Sequence, residues 1–252
     1  MEQFEEQVRY LKNNYTIISI LDLERHFNSG QALPSHSLLI TFDDGDPSVL
    51  EKGLPVLEKY NLASVSFVIT DLIDSSKNFW CRWVEKVYEK QGRSYREARK
   101  KVNYLKNIPN QERIKYLSTL EKINGRQLTS AELNYMESRK MFIGNHTHTH
   151  PIINNCTAKE VKEELLCAKQ LFEKWDLEGY PFFAYPNGNW DDESESSLKK
   201  NGIKLAFLFD HKVNKKIINP LRISRIRVDA DTELNEFKVK VSGLHSKIMS
   251  LR

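Results

Sequence analysis

An α/β fold with parallel strands is the class that this 252-residue chain predicts, on three observations. Short runs rich in β-branched and aromatic residues alternate with amphipathic segments of helical period, the order that gives parallel strands joined by right-handed crossovers. Three of these runs end in polar clusters: Asp43-Asp44-Gly45, His146-Thr147-His148-Thr149-His150 and Pro186-Asn187-Gly188. In α/β folds ligands and catalytic groups collect at the carboxyl ends of strands, where the strand fixes the backbone and the following loop is free to vary. The length suffices for one large α/β unit, and no internal repeat or low-complexity linker argues for a second, so residues 1–252 are expected to form a single domain.

Taken in order, Phe4 to Asn13 sets Phe4, Val8 and Leu11 on one helical face and stops at Asn13-Asn14. Tyr15 to Ile20 has strand character, and a short helix around Leu21 to Phe27 stops at Ser29-Gly30. Leu38 to Phe42 is a strand that delivers two adjacent acids. A helix from about Pro47 to Lys59 carries Val49, Leu50, Leu54, Val56 and Leu57, and Ala63 to Thr70 is the next strand. From about Phe79 to Asn124 strand signal vanishes while Lys, Arg, Glu, Leu and Tyr dominate. This block predicts two or three helices, separated near Gly92 and at Ile108-Pro109-Asn110 and inserted into the α/β frame (about 79–124). Its Trp80, Trp83, Tyr88, Tyr95 and Tyr104 are expected as packing anchors, with stacking on sugar faces as the alternative for aromatics beside a site. Its charges read as a solvated helical face.

The regular rhythm resumes where Thr129 and Glu132 have capping-box spacing for a helix to about Arg139. Met141 to Gly144 is a short strand ending at the histidine cluster. Thr157 and Glu160 repeat the capping spacing and open a helix to about Trp175. Tyr180 to Tyr185 is a strand, Asp192 to Lys200 a helix stopped by Asn201-Gly202, Lys204 to Phe209 a strand and Ile223 to Val228 the last strand; the tail, about 233–252, reads as helical.

Composition narrows the partners. The net charge of +4 is spread along the chain, a mildly basic surface compatible with an anionic glycan and no evidence for nucleic-acid binding. No apolar run approaches the ~18 residues of a membrane span, and the acidic start MEQFEEQVRY is unlike a basic signal-peptide opening. As written the chain reads as cytoplasmic, or as extracytoplasmic if an N-terminal segment is missing. Cys81, Cys156 and Cys167 are odd in number and lack CxxC spacing, which predicts reduced packing thiols.

Three histidines at alternate positions of a strand-end loop call for a chemical reading. If the loop curls, His146 and His150 turn toward one point, and a carboxylate from another strand end completes a set of two histidines and one acid. Neutral imidazoles with a carboxylate suit a divalent metal that keeps positions open for water and substrate, zinc first among candidates. The bland alternative is a polar loop with surface histidines. Pro151 argues against a helix there, so this is not a HExxH arrangement. Adjacent acids at Asp43 and Asp44 suit a division of labour, one binding the metal and the other accepting a proton from the water that it activates. That is the chemistry of hydrolysis.

Thr41-Phe42-Asp43-Asp44-Gly45 resembles the TFDDG motif of the polysaccharide deacetylases, the NodB-homology group of carbohydrate esterase family four. His146 to His150 matches that family's H-[ST]-x-x-H motif, and Phe183-Ala184-Tyr185-Pro186-Asn187-Gly188 resembles its FAYPYG motif. The resemblance spans Phe4 to about Asp229 in the family's order. It implies a distorted (β/α) barrel in which Asp43 is the general base and Asp44, His146 and His150 hold the metal. The Asn187 backbone N–H would donate to the oxyanion, and Tyr185 and Trp190 would line the sugar subsite. His148 falls at a variable position and is expected behind the ligands or facing solvent.

The chain departs from the family at four places. Ala184 stands where an arginine often orients the catalytic acid, and Arg225 or Arg227 is the candidate to supply that charge from the last strand. Asn187 replaces the usual tyrosine. The family's late Leu-x-His general acid has only Leu244-His245 as a counterpart, with different spacing. The Tyr-His strand that commonly precedes the region matching Phe4 has no counterpart. The expected activity is metal-dependent removal of acetyl groups from N-acetylated sugars of a polysaccharide or its precursor. The alternatives are an O-acetyl esterase or non-sugar amidase with the same site, and a glycan-binding protein with a decayed site.

Overall fold

The computed structural model describes residues 2–214, 218–229 and 231–244. Helix α1 (Glu2–Asn14) leads into β1 (Thr16–Ile17), which is shorter than the strand expected over 15–20. Ser19 ends it: its hydroxyl accepts from the Asp22 N–H while Asp22 accepts from the Ser19 N–H, a capping box that starts α2 (Ile20–Ser29). Gly30 closes α2 at φ 70°, a left-handed conformation without cost to glycine.

The strand expected over 38–42 appears as β2 (Ser37–Leu38) and β3 (Thr41–Phe42), two pieces of one extended run that pairs on both edges. The Leu38 carbonyl accepts from Ile18 on one side and the Ile40 carbonyl from Val65 on the other. Next come a wide turn at Val49–Gly53, α3 (Leu54–Lys59) and β4 (Ser64–Val68). The insertion is three helices, α4 (Trp80–Lys90), α5 (Tyr95–Leu105) and α6 (Asn110–Ser118), broken where Gly92 and Pro109 predict. Then follow α7 (Ser130–Ser138), β5 (Met141–Asn145), α8 (Ala158–Lys174), β6 (Phe182–Ala184), α9 (Asp192–Lys200), β7 (Leu205–Phe207) and α10 (Leu234–Val241).

Strands β3 to β7 are parallel neighbours in sequence order and curl into a half-barrel. Both faces are covered, as parallel sheets require. Alternate residues divide between two cores: Val68, Ile143, Phe183 and Ala206 join the core beneath the helices, while Val65, Phe67, Phe182, Leu205 and Phe207 pack with Ile18, Ile20 and Leu23 on the other face. The insertion has a third core around Trp80, Val84, Tyr88, Val102 and Leu105. Trp80 and Tyr88 are thus packing anchors as expected, and Trp83 packs at its margin. Tyr95 and Tyr104 are exposed instead.

The last expected strand, over 223–228, is a correction. Ile223 forms a single parallel bridge to Phe207, and no ladder follows among the described residues. The Leu208 carbonyl, the next acceptor along the edge, is taken by the Arg225 Nε at 2.7 Å, so a side chain replaces the backbone rung. Within the tail expected as helical, α10 ends at Val241 with Ser242 as its cap, and Gly243 follows at φ 77°; residues 245–252, and with them His245, lie outside the described residues.

Close approach of β5 and β6 depends on Gly179, where an added Cβ would sit 1.6 Å from the Ile143 carbonyl oxygen. Gly179→Ala is therefore expected to destabilise the fold by about 1–3 kcal/mol or more. Urea unfolding should show a lower midpoint with an unchanged m-value.

Candidate active site

At the end of β3 the chain turns through two consecutive left-handed residues, Asp44 at φ 72° and Gly45 at φ 68°. Aspartate tolerates this conformation better than most side chains. The turn sends the two neighbouring carboxylates in different directions. Asp44 faces the histidine loop, with its Oδ1 3.4 Å from His146 Nε2 and 3.5 Å from His150 Nε2. Asp43 faces Arg225, whose two terminal nitrogens each donate to one carboxylate oxygen at 2.7 Å.

The histidine loop is held from several sides. Thr147, β-branched yet at φ 69°, and His150 at φ 56° are backbone outliers that only surrounding bonds can maintain. The Asn145 side chain accepts from the Thr147 N–H at 2.9 Å, and the Thr147 hydroxyl accepts from the His150 N–H at 2.9 Å. Glu164, reaching from α8, accepts from the N–H groups of His148 and Thr149 and from the Thr149 hydroxyl at 2.6–2.8 Å. His146 and His150 are buried as a result, with ring centroids 4.7 Å apart and planes at 75°.

The tautomer of His146 follows from its surroundings. Its Nδ1 lies 2.8 Å from the Ala184 carbonyl and must donate there, which leaves the Nε2 lone pair aimed at Asp44. Burial disfavours a charged His146 ring, but the facing carboxylates of Asp44 and Asp43 outweigh it and raise its pKa. Burial pushes His150 well below the ordinary histidine value, helped by the nearby charges of His146, Arg113 and Lys106, so its ring is neutral. Two imidazole nitrogens and a carboxylate oxygen, each a possible metal-ligand atom, lie within 4.8 Å of one another. Such a set fits one divalent ion with open positions for water and substrate.

Asp43 has a different environment. Burial would raise its pKa, yet the Arg225 guanidinium, with His146 behind it, holds the carboxyl below the ordinary carboxylate value. Arg225 is itself fixed by the Leu208 carbonyl and the Thr41 hydroxyl. Of the two arginines read from the sequence, Arg225 reaches the acid; Arg227 pairs with Asp229 at 2.6 Å in an exposed position.

Two expected site residues sit elsewhere. Tyr185 is wholly buried, edge-on to Phe183 at 5.3 Å, with its hydroxyl unpaired, and so cannot line a sugar subsite. It continues the buried pattern of β6 below the strand end. Trp190 packs on the core with the Arg222 guanidinium 3.6 Å over its ring, which denies that face to a sugar. Asn187 stays exposed on a left-handed turn at φ 59°. His148, partly exposed, meets the Thr70 hydroxyl at 3.0 Å and stands behind the ligands.

The insertion forms a wall of the site, which the sequence reading did not anticipate. Phe79 packs edge-on to His150 at 4.7 Å. The Trp80 indole N–H donates to the His150 carbonyl at 2.9 Å, and buried Arg113 stacks on Trp80. Lys106 reaches Asn187 with a hydrogen bond of 2.8 Å. The aromatic run Phe79-Trp80 was a usable signal, while no spacing marks Glu164 or Lys106. A cavity of about 470 Å³ opens between α4 and α5, and none of the converging acids and histidines lines it.

Comparison with known proteins matches the model of the family "Polysaccharide deacetylase" over residues 30–206. Poly-beta-1,6-N-acetyl-D-glucosamine N-deacetylase of Staphylococcus aureus (strain N315) is 23% identical over 97% of this chain and 72% of its own length. The protein of that name from Staphylococcus epidermidis is 23% identical over 91% of this chain and 68% of its length. Among solved structures, Streptococcus pyogenes deacetylase PplD in complex with acetate superposes with a TM-score of 0.68 at 17% identity, covering 95% of this chain and 86% of that one. IcaB from Ammonifex degensii gives 0.68 at 18% identity, covering 95% and 88%. These structures share the half-barrel fold.

Because Glu164 fixes the loop without touching the ligand atoms, Glu164→Ala is expected to weaken zinc binding about 10–100-fold while the fold persists. Competition with a chromogenic chelator, alongside circular dichroism, measures both.

Proposed function

The chain belongs to the polysaccharide deacetylase family, and we propose that it hydrolyses N-acetyl groups from the sugars of a polysaccharide, with β-1,6-linked N-acetylglucosamine as the first substrate to test. The carrying observation is the separation of two adjacent acids: Asp44 joins the histidine pair while Asp43 is bound by Arg225. The substrate proposal draws on the printed activity of the Staphylococcus relatives. In this reading the whole chain acts as one catalytic unit, with the 79–124 block built into its site.

Asp44, His146 and His150 would hold the metal, with zinc favoured by the imidazole-carboxylate set. When bound, such an ion polarises the acetamide carbonyl and acidifies a water. Asp43 accepts the proton as that water attacks, and this proton passes on to the sugar's amine nitrogen as the C–N bond breaks, giving acetate and the free amine. Each of its oxygens spends one lone pair on Arg225 and retains another toward the site. The guanidinium keeps Asp43 ionised and aimed, so orientation is favoured over high basicity. The Asn187 backbone N–H, at the strand-end turn, is the donor for the oxyanion.

Acetate release from a β-1,6-linked N-acetylglucosamine oligomer tests the activity, with an O-acetylated oligomer in parallel. The N-acetyl substrate should be hydrolysed by the zinc-loaded protein, and Asp43→Asn should be about 10²–10⁴-fold slower. Release from the ester alone, or from neither, would defeat the proposal.

The pH dependence carries a sign. Asp43 must be ionised to accept a proton, and its pKa is lowered, so rate is lost only as pH falls through a value below the ordinary 3.8. In Arg225→Met burial persists without the opposing charge, and the acidic limb of the rate profile should move to higher pH. An unshifted limb with unchanged turnover would dismiss this role for Arg225.

A further inference from the structure

The turn that carries Asn187 is held from below and from above by different parts of the chain. Below, the Gly188 N–H donates to the Tyr185 carbonyl at 2.7 Å, and Gly188 at φ 76° lies so close to Phe209 that a Cβ would come within 2.7 Å of its backbone nitrogen. Above, the support comes from the insertion. Lys106, directly after α5, donates from its ammonium to the Asn187 Oδ1 at 2.8 Å. The other end of the Asn187 amide donates to the Asn189 Oδ1 at 2.6 Å, which leaves Oδ1 for the lysine.

Lys106 is itself anchored. Its N–H bonds to the Val102 carbonyl, its carbonyl accepts from the Asn155 side chain at 2.8 Å, and its stem is half-buried. A cation at a helix C-terminus is also favoured by the helix dipole. Asn155 follows the histidine loop closely, so one residue joins the insertion, the segment beyond His150 and the Asn187 turn.

We propose that Lys106 is a positioning residue that sets the Asn187 turn through the Asn187 side chain, making the helical insertion part of the catalytic apparatus. The inference rests on the deacetylase reading for its kinetic consequence. It also gives a reason for asparagine where the family commonly has tyrosine: the side-chain oxygen receives the lysine, and asparagine tolerates the left-handed turn. The bland reading is an exposed contact of little energetic worth. The two differ in what they predict, because a small displacement of a group facing a reaction centre costs far more in rate than in stability.

The test is a double-mutant cycle on the zinc-loaded protein. Lys106→Met and Asn187→Gly, the latter removing the side chain while keeping the left-handed turn accessible, should each lower kcat on the β-1,6-linked oligomer about tenfold, as expected for loss of one charged hydrogen bond. KM and melting temperature should hold, the double variant should be no slower than either single one, and Lys106→Arg should restore most of the rate. Turnover of Lys106→Met within about twofold of the original protein, or additive losses, would overturn the inference. The same cycle is read without turnover by titrating acetate into the zinc-loaded proteins. Non-additive weakening there supports the strut even if no glycan is hydrolysed, in which case only the substrate reading fails. Additive or absent effects on acetate binding overturn the strut.

Discussion

Three metal-ligating side chains brought to one point, Asp44, His146 and His150, are the constraint around which this molecule is arranged. The Asp44 carboxylate oxygen lies 3.4–3.5 Å from the Nε2 atoms of both His146 and His150, and much of the surrounding structure serves to hold that arrangement. The Ala184 carbonyl selects the His146 tautomer, Glu164 ties down the loop that carries both rings, and Phe79 and Trp80 close it from the insertion. The backbone outliers at Asp44, Thr147 and His150 show where local conformational preference yields to the site.

A parallel sheet makes such convergence attainable. Strands β3, β5 and β6 are parallel, so Asp43-Asp44, the histidine loop and the Asn187 turn all follow carboxyl ends on the same side of the half-barrel. The arginine that steadies Asp43 comes from a different position than the family's usual one. Arg225, from the segment beyond β7, makes a bidentate contact with Asp43.

Strand-borne features were legible in the sequence because strand ends leave local marks. Leu38 to Phe42 announced the acids, Met141 to Gly144 the histidines, and the capping pairs Thr129/Glu132 and Thr157/Glu160 located two helices to within a residue. Features set by distant contacts were not legible. Residues 223–228 have strand composition, but Arg225 spends its side chain on the rung that would continue the ladder. Tyr185 and Trp190 were assigned to a sugar subsite by motif position, whereas burial and the Arg222 contact are set by α9 and the segment after β7. The insertion looked like a solvated helical block because its inward contacts, from Phe79, Trp80, Arg113 and Lys106, reach partners some 37 to 81 positions away.

One divalent ion, held by Asp44, His146 and His150, would make this chain an N-deacetylase. Titrating the metal-free protein with zinc, while acetate release from a β-1,6-linked N-acetylglucosamine oligomer is followed, tests it directly. No release is expected without metal, then a rise in proportion to added zinc and a plateau at one ion per chain. Equal release from the metal-free protein, or one bound ion with no acetate released, would contradict it.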